Sequence, residues 1–243
     1  RGGGGFQYRR TPASEERGGL GGRIDELVFG RLEQLGIPPA RLCSDEVFLR
    51  RAYLDVIGTL PTADEARQFL KDADPDKRAK LVDRLLERDE FADYWTMKWC
   101  DSLRVKSEFP INLWPNAVQA YHRWIRSCVR ENVPYDRFVR EMLVASGSNF
   151  RNPPANFYRA VQAKDPTSLA EAAALTFLGS RLETWPVDRQ REMARFFAHV
   201  AYKPTAEWKE EIVYLDPSPS GPLDAIFPDG THVRIPPGED PRR

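Results

Sequence analysis

The sequence predicts a mainly α-helical protein: a multi-helix bundle followed by a short C-terminal segment that contains a β-hairpin. Three observations support this fold class. Apolar residues recur at helical spacing through residues 23–203, as Ile24, Leu27 and Val28 show at the start. Glycines and prolines divide this stretch into separate helices. Beyond residue 204 the pattern changes to the alternation that is typical of strands.

The bulk composition is that of an ordinary globular domain. Of the 243 residues, 30% are charged and 41% are hydrophobic. Lys and Arg together number 36, as do Asp and Glu together, so there is no excess positive charge to favour nucleic-acid binding. No apolar run approaches the roughly 18 residues that a membrane span needs. We therefore expect no nucleic-acid partner and no membrane span in this chain.

Four parts make up the predicted domain organisation. Residues 1–22 are rich in glycine and poor in apolar residues, which favours a flexible leader or linker. Residues 23–203 form the helical domain and residues 204–236 a β-rich tail. Residues 237–243 are expected to be a linker to a following domain. Because the chain starts without methionine, we expect the natural protein to be longer.

Four short amphipathic helices begin the helical domain, and we expect them to form one compact bundle. In the third helix, Thr62 and Glu65 form a capping box, in which hydroxyl and carboxylate satisfy the amides at the helix start. Gly36 and Gly58 end the first and second helices. The predicted limits are Ile24 to Leu35, Ser44 to Val56, Thr62 to Leu70, and Asp74 to Leu86.

An aromatic stripe comes next in the chain. Phe91, Trp95, Trp99 and Leu103 recur every four residues and therefore line one side of a helix. Core packing is the expected role of these side chains. Because aromatic rings also bind sugars, a carbohydrate site remains the alternative.

Proline marks the start or the end of the remaining helices. These run from Pro115 to Val129, through Phe138 to Leu143, from Asp165 to Gly179, and from Pro186 with Val200 on the inward face. Strands are expected only afterwards. The residues from Glu211 to Leu215 alternate, and Pro228-Asp229-Gly230 between two short apolar runs predicts a hairpin.

Templates for catalysis are missing from the sequence. It contains no Gly-x-Ser-x-Gly elbow, no His-Glu-x-x-His and no Walker glycine loop. The three histidines are dispersed and the three cysteines include no Cys-x-x-Cys pair, so we predict no catalytic residue, no metal site and no cofactor. A buried thiol is expected at Cys128, and a disulfide between two of the three cysteines remains open.

Two polar loop segments are the best candidates for ligand binding, because loops held by rigid helices often carry binding groups. They span residues 101–112 and 146–159. His122 lies on an apolar helix face, where it is either a core histidine or a group that lines a cleft. The predicted ligand-binding residues are Arg104, Lys106, Glu108, Asn112, His122, Asn149, Asn152, Asn156 and Arg159. A glycan is the candidate ligand, and internal hydrogen bonding within the loops is the alternative.

A family resemblance rests on residues 48–62, FLRRAYLDVIGTLPT, and continues through residues 81–86, Tyr94-Trp95 and residues 176–179. Over residues 24–215 the chain resembles the planctomycete cytochrome-C-associated domain of unknown function. The resemblance implies an extracytoplasmic protein, periplasmic or secreted, in which other domains of the same polypeptide are the partners. It implies no reaction.

One departure from this resemblance concerns haem. Relatives can carry a Cys-x-x-Cys-His stretch before the last helix, which could attach haem through two thioethers. Here only five residues, Ser180 to Thr184, separate Gly179 from Trp185. We therefore expect the flanking helices to persist and the domain to attach no haem.

Three functional hypotheses follow. The first, and the one we favour, is a non-catalytic binding or scaffold module of a larger extracytoplasmic multidomain protein. The second is a polysaccharide-directed hydrolase that uses His122 with carboxylates such as Asp101, Glu108 or Glu141. The third is a haem-less module that docks a cytochrome domain.

Overall fold

The computed structural model describes residues 22–107, 114–218 and 221–243. Ten α-helices and five short strands lie within these ranges, so the mainly α fold class is confirmed. The helices are α1 (Arg23–Gln34), α2 (Asp45–Ile57), α3 (Ala63–Lys71), α4 (Lys77–Leu86), α5 (Asp89–Ser102), α6 (Pro115–Arg130), α7 (Tyr135–Leu143), α8 (Asn156–Ala160), α9 (Pro166–Leu178) and α10 (Val187–Arg195). The strands are β1 (Gly147–Ser148), β2 (Val200–Pro204), β3 (Glu211–Leu215), β4 (Leu223–Ile226) and β5 (His232–Ile235).

The chain divides into two units, residues 1–47 and residues 48–243. In the first unit, α1 ends as predicted, with Gly36 in the left-handed region at φ 66°. None of the residues of α1 is buried. On its apolar face, Ile24 is 76% exposed and Leu27 is 58% exposed. The predicted leader, residues 1–22, lies almost entirely outside the described residues.

A small core holds α2, α3 and α4 together in the second unit. Its buried members are Leu49, Ala52, Tyr53, Ile57, Phe69, Leu81 and Leu85. The ring of Phe48 stacks on Phe69 at a centroid distance of 6.1 Å. The predicted inward positions of the residues in this core are confirmed. Leu70 and Leu86 were also predicted to face inward, and there the prediction is wrong, since they are 43% and 46% exposed.

Helix α5 joins this small core to the main one. Phe91, near its start, packs on the small core, whereas Trp99 packs on the main core and Leu103 is buried in it. Between them, Trp95 is 38% exposed, and its indole N–H donates to the carbonyl of Val56 at 3.1 Å. Core packing of the aromatic stripe is thus confirmed except at Trp95, which links α5 to α2 at the surface.

The main core lies among α6, α7, α8, α9 and the sheet. Tyr121 and Ile125 of α6 are fully buried in it. Trp124 stacks on Phe138 of α7 with ring centroids 5.1 Å apart. Asp165 caps α9 by accepting from the Ser168 N–H at 3.0 Å, and Gly179 ends that helix at φ 61°, as the sequence predicts.

Two small antiparallel sheets complete the fold. β3 lies between β1 and β2, with Ser148 opposite Ile212 and Tyr202 opposite Val213. β4 and β5 form the predicted hairpin, with Ala225 opposite Val233. β3 was also predicted, but β1 and β2 were not.

The prediction that Val200 faces inward from the last helix is wrong. Helix α10 ends at Arg195, and Val200 is the first residue of β2. The preceding Phe196 and Phe197 are buried without being part of the helix. Two adjacent side chains can be buried in a turn as well as in a helix. The apolar pattern of Phe196 and Phe197 therefore does not show that the helix ends before them.

The capping box of α3 gives a first prediction. The Thr62 hydroxyl accepts from the Glu65 N–H at 3.3 Å, and the Glu65 carboxylate accepts from the Thr62 N–H at 2.7 Å. Hydrogen bonds from Thr62 hold the pKa of Glu65 below its usual value. We expect Thr62→Ala to lower the free energy of unfolding by about 1 kcal/mol at neutral pH, measured by urea denaturation, whereas Thr59→Ala should change it little.

The pH dependence of that difference has a definite sign. The pKa of Glu65 is lower in the folded state than in the unfolded state. Its carboxylate therefore stabilises the fold fully at pH values above the pKa of an ordinary glutamate. It is lost as the pH falls through the lowered pKa. The gap between wild type and Thr62→Ala should therefore narrow in acid, and a gap that widens there would contradict this account.

Candidate functional site

The corner between α5 and α6 carries an open depression of about 250 Å³. Its walls come from the last turn of α5, the residues just after it, and the first half of α6. The lining residues are Cys100, Val105, Val118, Gln119, His122 and Arg123. Apolar atoms make up nearly all of the surface that lines it. None of these lining residues carries a carboxylate.

The backbone at the end of α5 shapes this corner. The Val105 N–H donates to the Cys100 carbonyl at 2.9 Å, across five residues, which is the bond that closes a Schellman motif. The residue inside this motif must be left-handed, and here it is Arg104 at φ 57°. Other left-handed helix ends in the described chain use Gly36, Gly58, Asn132 and Gly179, which tolerate that conformation better.

Arg104 combines this backbone strain with partial burial. Its side chain is half-buried, and desolvation lowers the pKa of the guanidinium. The Tyr121 hydroxyl, which donates to the Met142 sulfur at 3.3 Å, lies within electrostatic reach of it. Within the described part of the chain, no carboxylate forms an ion pair with Arg104. Lys106 is exposed close by in sequence, while Glu108 and Asn112 lie outside the described residues.

His122 is exposed at the edge of this depression. The interpretation of His122 as a core histidine is therefore wrong. Its neighbour Tyr121 takes the buried position instead, as do Ile125 and Cys128 further along α6. The alternative, that His122 lines a cleft, matches its position in the depression.

The second loop segment is used inside the protein. Asn149 is 1% exposed, and its side-chain oxygen accepts from the Glu211 N–H at 3.0 Å. Asn156 is fully buried and donates to the carbonyls of Asn149 at 2.7 Å and Pro153 at 3.0 Å. Asn152 donates to the Ser146 carbonyl at 2.6 Å. These three side chains attach the loop to β3 and to its own 3₁₀ turn.

Arg159 also contacts β3, at the place where the second loop segment is attached to it. Its guanidinium pairs with Glu211 at 2.8 Å, and Lys164 binds the same carboxylate at 2.7 Å. No residue of the second segment lines the depression at the α5–α6 corner. Of the predicted site residues, the structure therefore places only His122 in the lining of the depression. Arg104 precedes the lining residue Val105 but is not itself part of the lining, and Asn149, Asn152, Asn156 and Arg159 lie elsewhere.

Three buried polar atoms near this junction have no protein partner. They are the side-chain oxygen of Asn156, Nε of Arg159 and the hydroxyl of Tyr202. Arg159 is close enough to Tyr202 to affect its pKa, which burial raises well above the ordinary value. A donor, an acceptor and a hydroxyl are the groups that ordered water satisfies in protein interiors.

A second depression, of about 420 Å³, lies between α10 and the β4–β5 hairpin. Its charged residues pair with one another. Arg195 lies 3.5 Å from Glu192, and Arg234 lies 3.8 Å from Asp224. No pattern in the sequence predicts this depression, because it depends on how the hairpin packs on α10.

Arg242 has a structural role that the sequence does not predict. Its side chain is 1% exposed and lies over the ring of Tyr158, with 5.4 Å from the guanidinium carbon to the ring centroid. It donates to both oxygens of Asp240 at 2.9 Å and to the carbonyl of Ala145 at 3.2 Å. This part of the predicted linker, residues 237–243, is therefore held against the end of α7.

Buried and half-buried carboxylates in the described residues form internal contacts. Glu210 accepts from the hydroxyls of Ser148 and Thr205, and these bonds hold its pKa below the usual value. Glu65 is held by its capping box and by Arg88, at 2.8 Å. Such carboxylates stay ionised at neutral pH, whereas a general acid needs a raised pKa.

The buried asparagine gives a second prediction. Asn149→Ala removes the acceptor of the Glu211 N–H and should lower the free energy of unfolding by about 2 kcal/mol. Denaturant unfolding measures this, and exposed Asn116→Ala on α6 is the control, expected to change stability by no more than about 0.5 kcal/mol. If Asn149→Ala kept full stability, the structural role assigned to this loop would be wrong.

In residues 22–107, 114–218 and 221–243, no three His, Cys, Asp or Glu side chains come together as a metal site. None of the helices there has the length and the apolar composition to cross a membrane. Cys100 and Cys128 keep free thiols, and Cys128 is buried as expected.

The fold and the corner depression define a helical domain with an open depression on its surface. Comparison with protein families gives one match, to PSCyt2, described as a protein of unknown function (DUF1549), over residues 23–198. The chain belongs to this family. A search of curated proteins and a search of solved structures each gave no match.

The residues that carry the family resemblance have structural roles. A Cβ atom added to Gly58 would lie 2.3 Å from the ring of Tyr94. Trp95 binds the Val56 carbonyl, and Gly179 ends α9. Across the short connection that follows, the Trp185 indole N–H donates to the Ser180 hydroxyl at 2.7 Å, and both flanking helices form as expected.

Proposed function

We propose that this domain is a non-catalytic binding or scaffold module of a larger multidomain protein that works outside the cytoplasm. The observation that carries this proposal is that buried and half-buried carboxylates of the domain form internal hydrogen bonds and ion pairs. Glu65, Glu210 and Glu211 are each bound by cations, hydroxyls or backbone amides of the domain itself. They hold helices and strands together, and the pKa values of Glu65 and Glu210 are lowered rather than raised.

The depression at the α5–α6 corner supports binding over hydrolysis. A glycosidase needs two carboxyl groups facing each other across the bond that is cleaved. The described residues that line the depression carry no carboxylate, and apolar atoms make up nearly all of its surface. Such a surface can hold the apolar part of a ligand, but it does not supply the acid and base pair of a hydrolase.

The experiment is a retention assay coupled to a product assay. The purified chain is passed over immobilised neutral, uronic-acid and sulfated polysaccharides, and the eluate is tested for new reducing ends. We expect retention on at least one polymer and no new reducing ends. Reducing ends that appear with wild type and disappear with His122→Ala would overturn the proposal in favour of a hydrolase.

The scaffold part and the location need the natural protein. Deleting residues 23–235 from it should leave any catalytic activity of its other domains intact while releasing them from their usual complex or surface. Cell fractionation should find the intact protein outside the cytoplasm. Recovery of the intact protein in the cytoplasm would contradict the proposed location.

A further inference from the structure

The connection between β2 and β3 carries the most exposed aromatic side chain among the described residues. Trp208, at the tip of this connection, is 70% exposed, whereas Tyr135 and Trp114 follow at 52% and 42%. An indole offers one of the largest apolar surfaces of any side chain, but it adds little to the stability of a fold when it stays in water. Core packing therefore does not explain the presence of tryptophan at this position.

Hydrogen bonds hold the tip of this hairpin in one shape. Glu210 is buried although it is charged, and its carboxylate accepts from the hydroxyls of Ser148 and, at 2.6 Å, of Thr205. The Thr205 hydroxyl also accepts from the Glu207 N–H at 3.0 Å, and the Glu207 carbonyl accepts from the Glu210 N–H at 3.2 Å. Trp208 lies inside this closed turn, so its backbone is held by groups other than its own ring.

Lys209 contacts the exposed ring from the next position. Its backbone is in the left-handed region, at φ 62°, which residues other than glycine adopt only with strain. Its ammonium group lies 5.4 Å from the centroid of the Trp208 ring, within the range of a cation–π contact. An ammonium group covers one face of an indole at most, so at 70% exposure the other face is open to a ligand.

The surroundings of Trp208 restrict what can bind there. In residues 205–210 its only apolar neighbour is Ala206, and the exposed charges of Glu207 and Lys209 have opposite signs. A stable protein interface needs about 800 Å² per partner around an apolar centre. A membrane-bound surface needs a wide apolar face. A sugar ring with equatorial hydroxyls needs only one flat aromatic face, for its C–H groups, and polar groups beside it for its hydroxyls.

We propose that Trp208 is a stacking platform for a neutral polysaccharide built of pyranose rings with equatorial hydroxyls, such as a β-1,4-linked glucan. One sugar ring lies on the open face of the indole, and Glu207 and Lys209 bind hydroxyls at its edge. Because these two charges cancel, they favour a neutral polymer over a charged one. This inference deepens the proposed function and rests on it, since it gives the binding module a site and a class of ligand.

NMR titration of the whole chain with cellohexaose tests this proposal. The indole N–H signal of Trp208, assigned by its absence from Trp208→Phe, should shift, whereas the signals of Trp95 and Trp114 should not. Sorbitol has hydroxyls but no ring face, and at the same hydroxyl concentration it should leave the Trp208 signal in place. An unmoved Trp208 signal up to the solubility limit of cellohexaose, or an equal shift with sorbitol, would overturn the proposal.

Trp208→Ala is the decisive variant. It should weaken cellohexaose binding at least about tenfold, which corresponds to about 1.4 kcal/mol, as followed by the backbone amide signals of Glu207 and Lys209. The melting temperature should stay unchanged, because the ring lies outside the core. Trp208→Phe keeps a smaller flat face and should retain part of the affinity. Trp114→Ala removes a second exposed indole and should retain all of it. Undiminished binding by Trp208→Ala would show that the assignment to Trp208 is wrong.

This inference and the proposed function fail in different ways. Retention on a polysaccharide that persists in Trp208→Ala would remove the stacking platform and leave the binding module. New reducing ends that disappear with His122→Ala, together with cellohexaose binding that is lost in Trp208→Ala, would remove the non-catalytic function and leave the stacking platform.

Discussion

Gly58→Ala is expected to lower the free energy of unfolding by about 2 to 4 kcal/mol, because two effects add at this position. Gly58 follows α2 at φ 71°, a conformation that alanine adopts only with strain. The new Cβ would also lie 2.3 Å from the ring of Tyr94. The collision includes Cγ of the ring, at 2.9 Å, so a rotation of the ring about its own axis does not relieve it. Chemical denaturation measures the change.

Two comparisons separate strain from collision. Gly179 has nearly the same backbone, at φ 61°, but a Cβ there would meet nothing within 4 Å. Gly179→Ala should therefore cost only the strain, about 1 kcal/mol. In a Tyr94→Ala background, where the ring is gone, Gly58→Ala should cost a similar amount. Equal losses for Gly58→Ala and Gly179→Ala in the wild-type background would show that the ring contact is unimportant.

Local chemistry explains which parts of the fold the sequence predicts. The Thr62 capping box, the Asp165 cap with Pro166, and the glycines that end helices act within a few residues, so their effect is visible in the chain itself. The Pro228-Asp229-Gly230 turn is equally local, and its hairpin forms as predicted.

The missed elements depend on residues that are distant in the sequence. β1 is two residues long and pairs with β3 more than sixty residues later, so no local pattern marks it. Arg242 binds the Ala145 carbonyl across 97 residues, in a segment whose Pro and Gly content is typical of linkers. Burial of a charged side chain against a distant carbonyl leaves no signal in composition.

The candidate site shows the same limit. The two polar segments have similar compositions, yet the asparagines of one are buried hydrogen-bonding groups while the other borders an open depression. Polar side chains satisfy a backbone or a ligand with the same atoms. The side chains of Asn149 and Asn156 point into the protein, where they bind backbone groups of β3 and of the loop before the 3₁₀ turn. Only this orientation distinguishes internal hydrogen bonding from ligand binding. The sequence likewise left two roles open for His122 on α6, a core histidine or a group that lines a cleft, and its exposure in the structure excludes the first.

Arg242→Met is expected to lower the free energy of unfolding by about 3 kcal/mol, since removing one partner of a buried ion pair leaves the other uncompensated. Asp240 would lose its two hydrogen bonds from the Arg242 guanidinium and keep only the one from the Arg242 N–H, and the carbonyl of Ala145 would lose its donor. Methionine keeps the aliphatic part of the side chain against Tyr158, so the loss reports mainly on charge and hydrogen bonding. Denaturant unfolding gives the magnitude.

Hydrogen exchange shows where the Arg242→Met effect falls. The last turn of α7 and the amides of β1 should exchange faster, because the guanidinium is what joins residues 240–242 to that corner. Arg243→Met, one residue further and exposed, should leave both stability and exchange unchanged.

Two further variants test the ion pair itself. Arg242→Lys should recover little of the lost stability, because an ammonium group cannot form the two parallel bonds to Asp240. Adding Asp240→Asn to Arg242→Met removes the stranded charge and should restore part of the loss. If that double variant were less stable than Arg242→Met alone, the loss would come from the Ala145 carbonyl and the Tyr158 ring rather than from the ion pair.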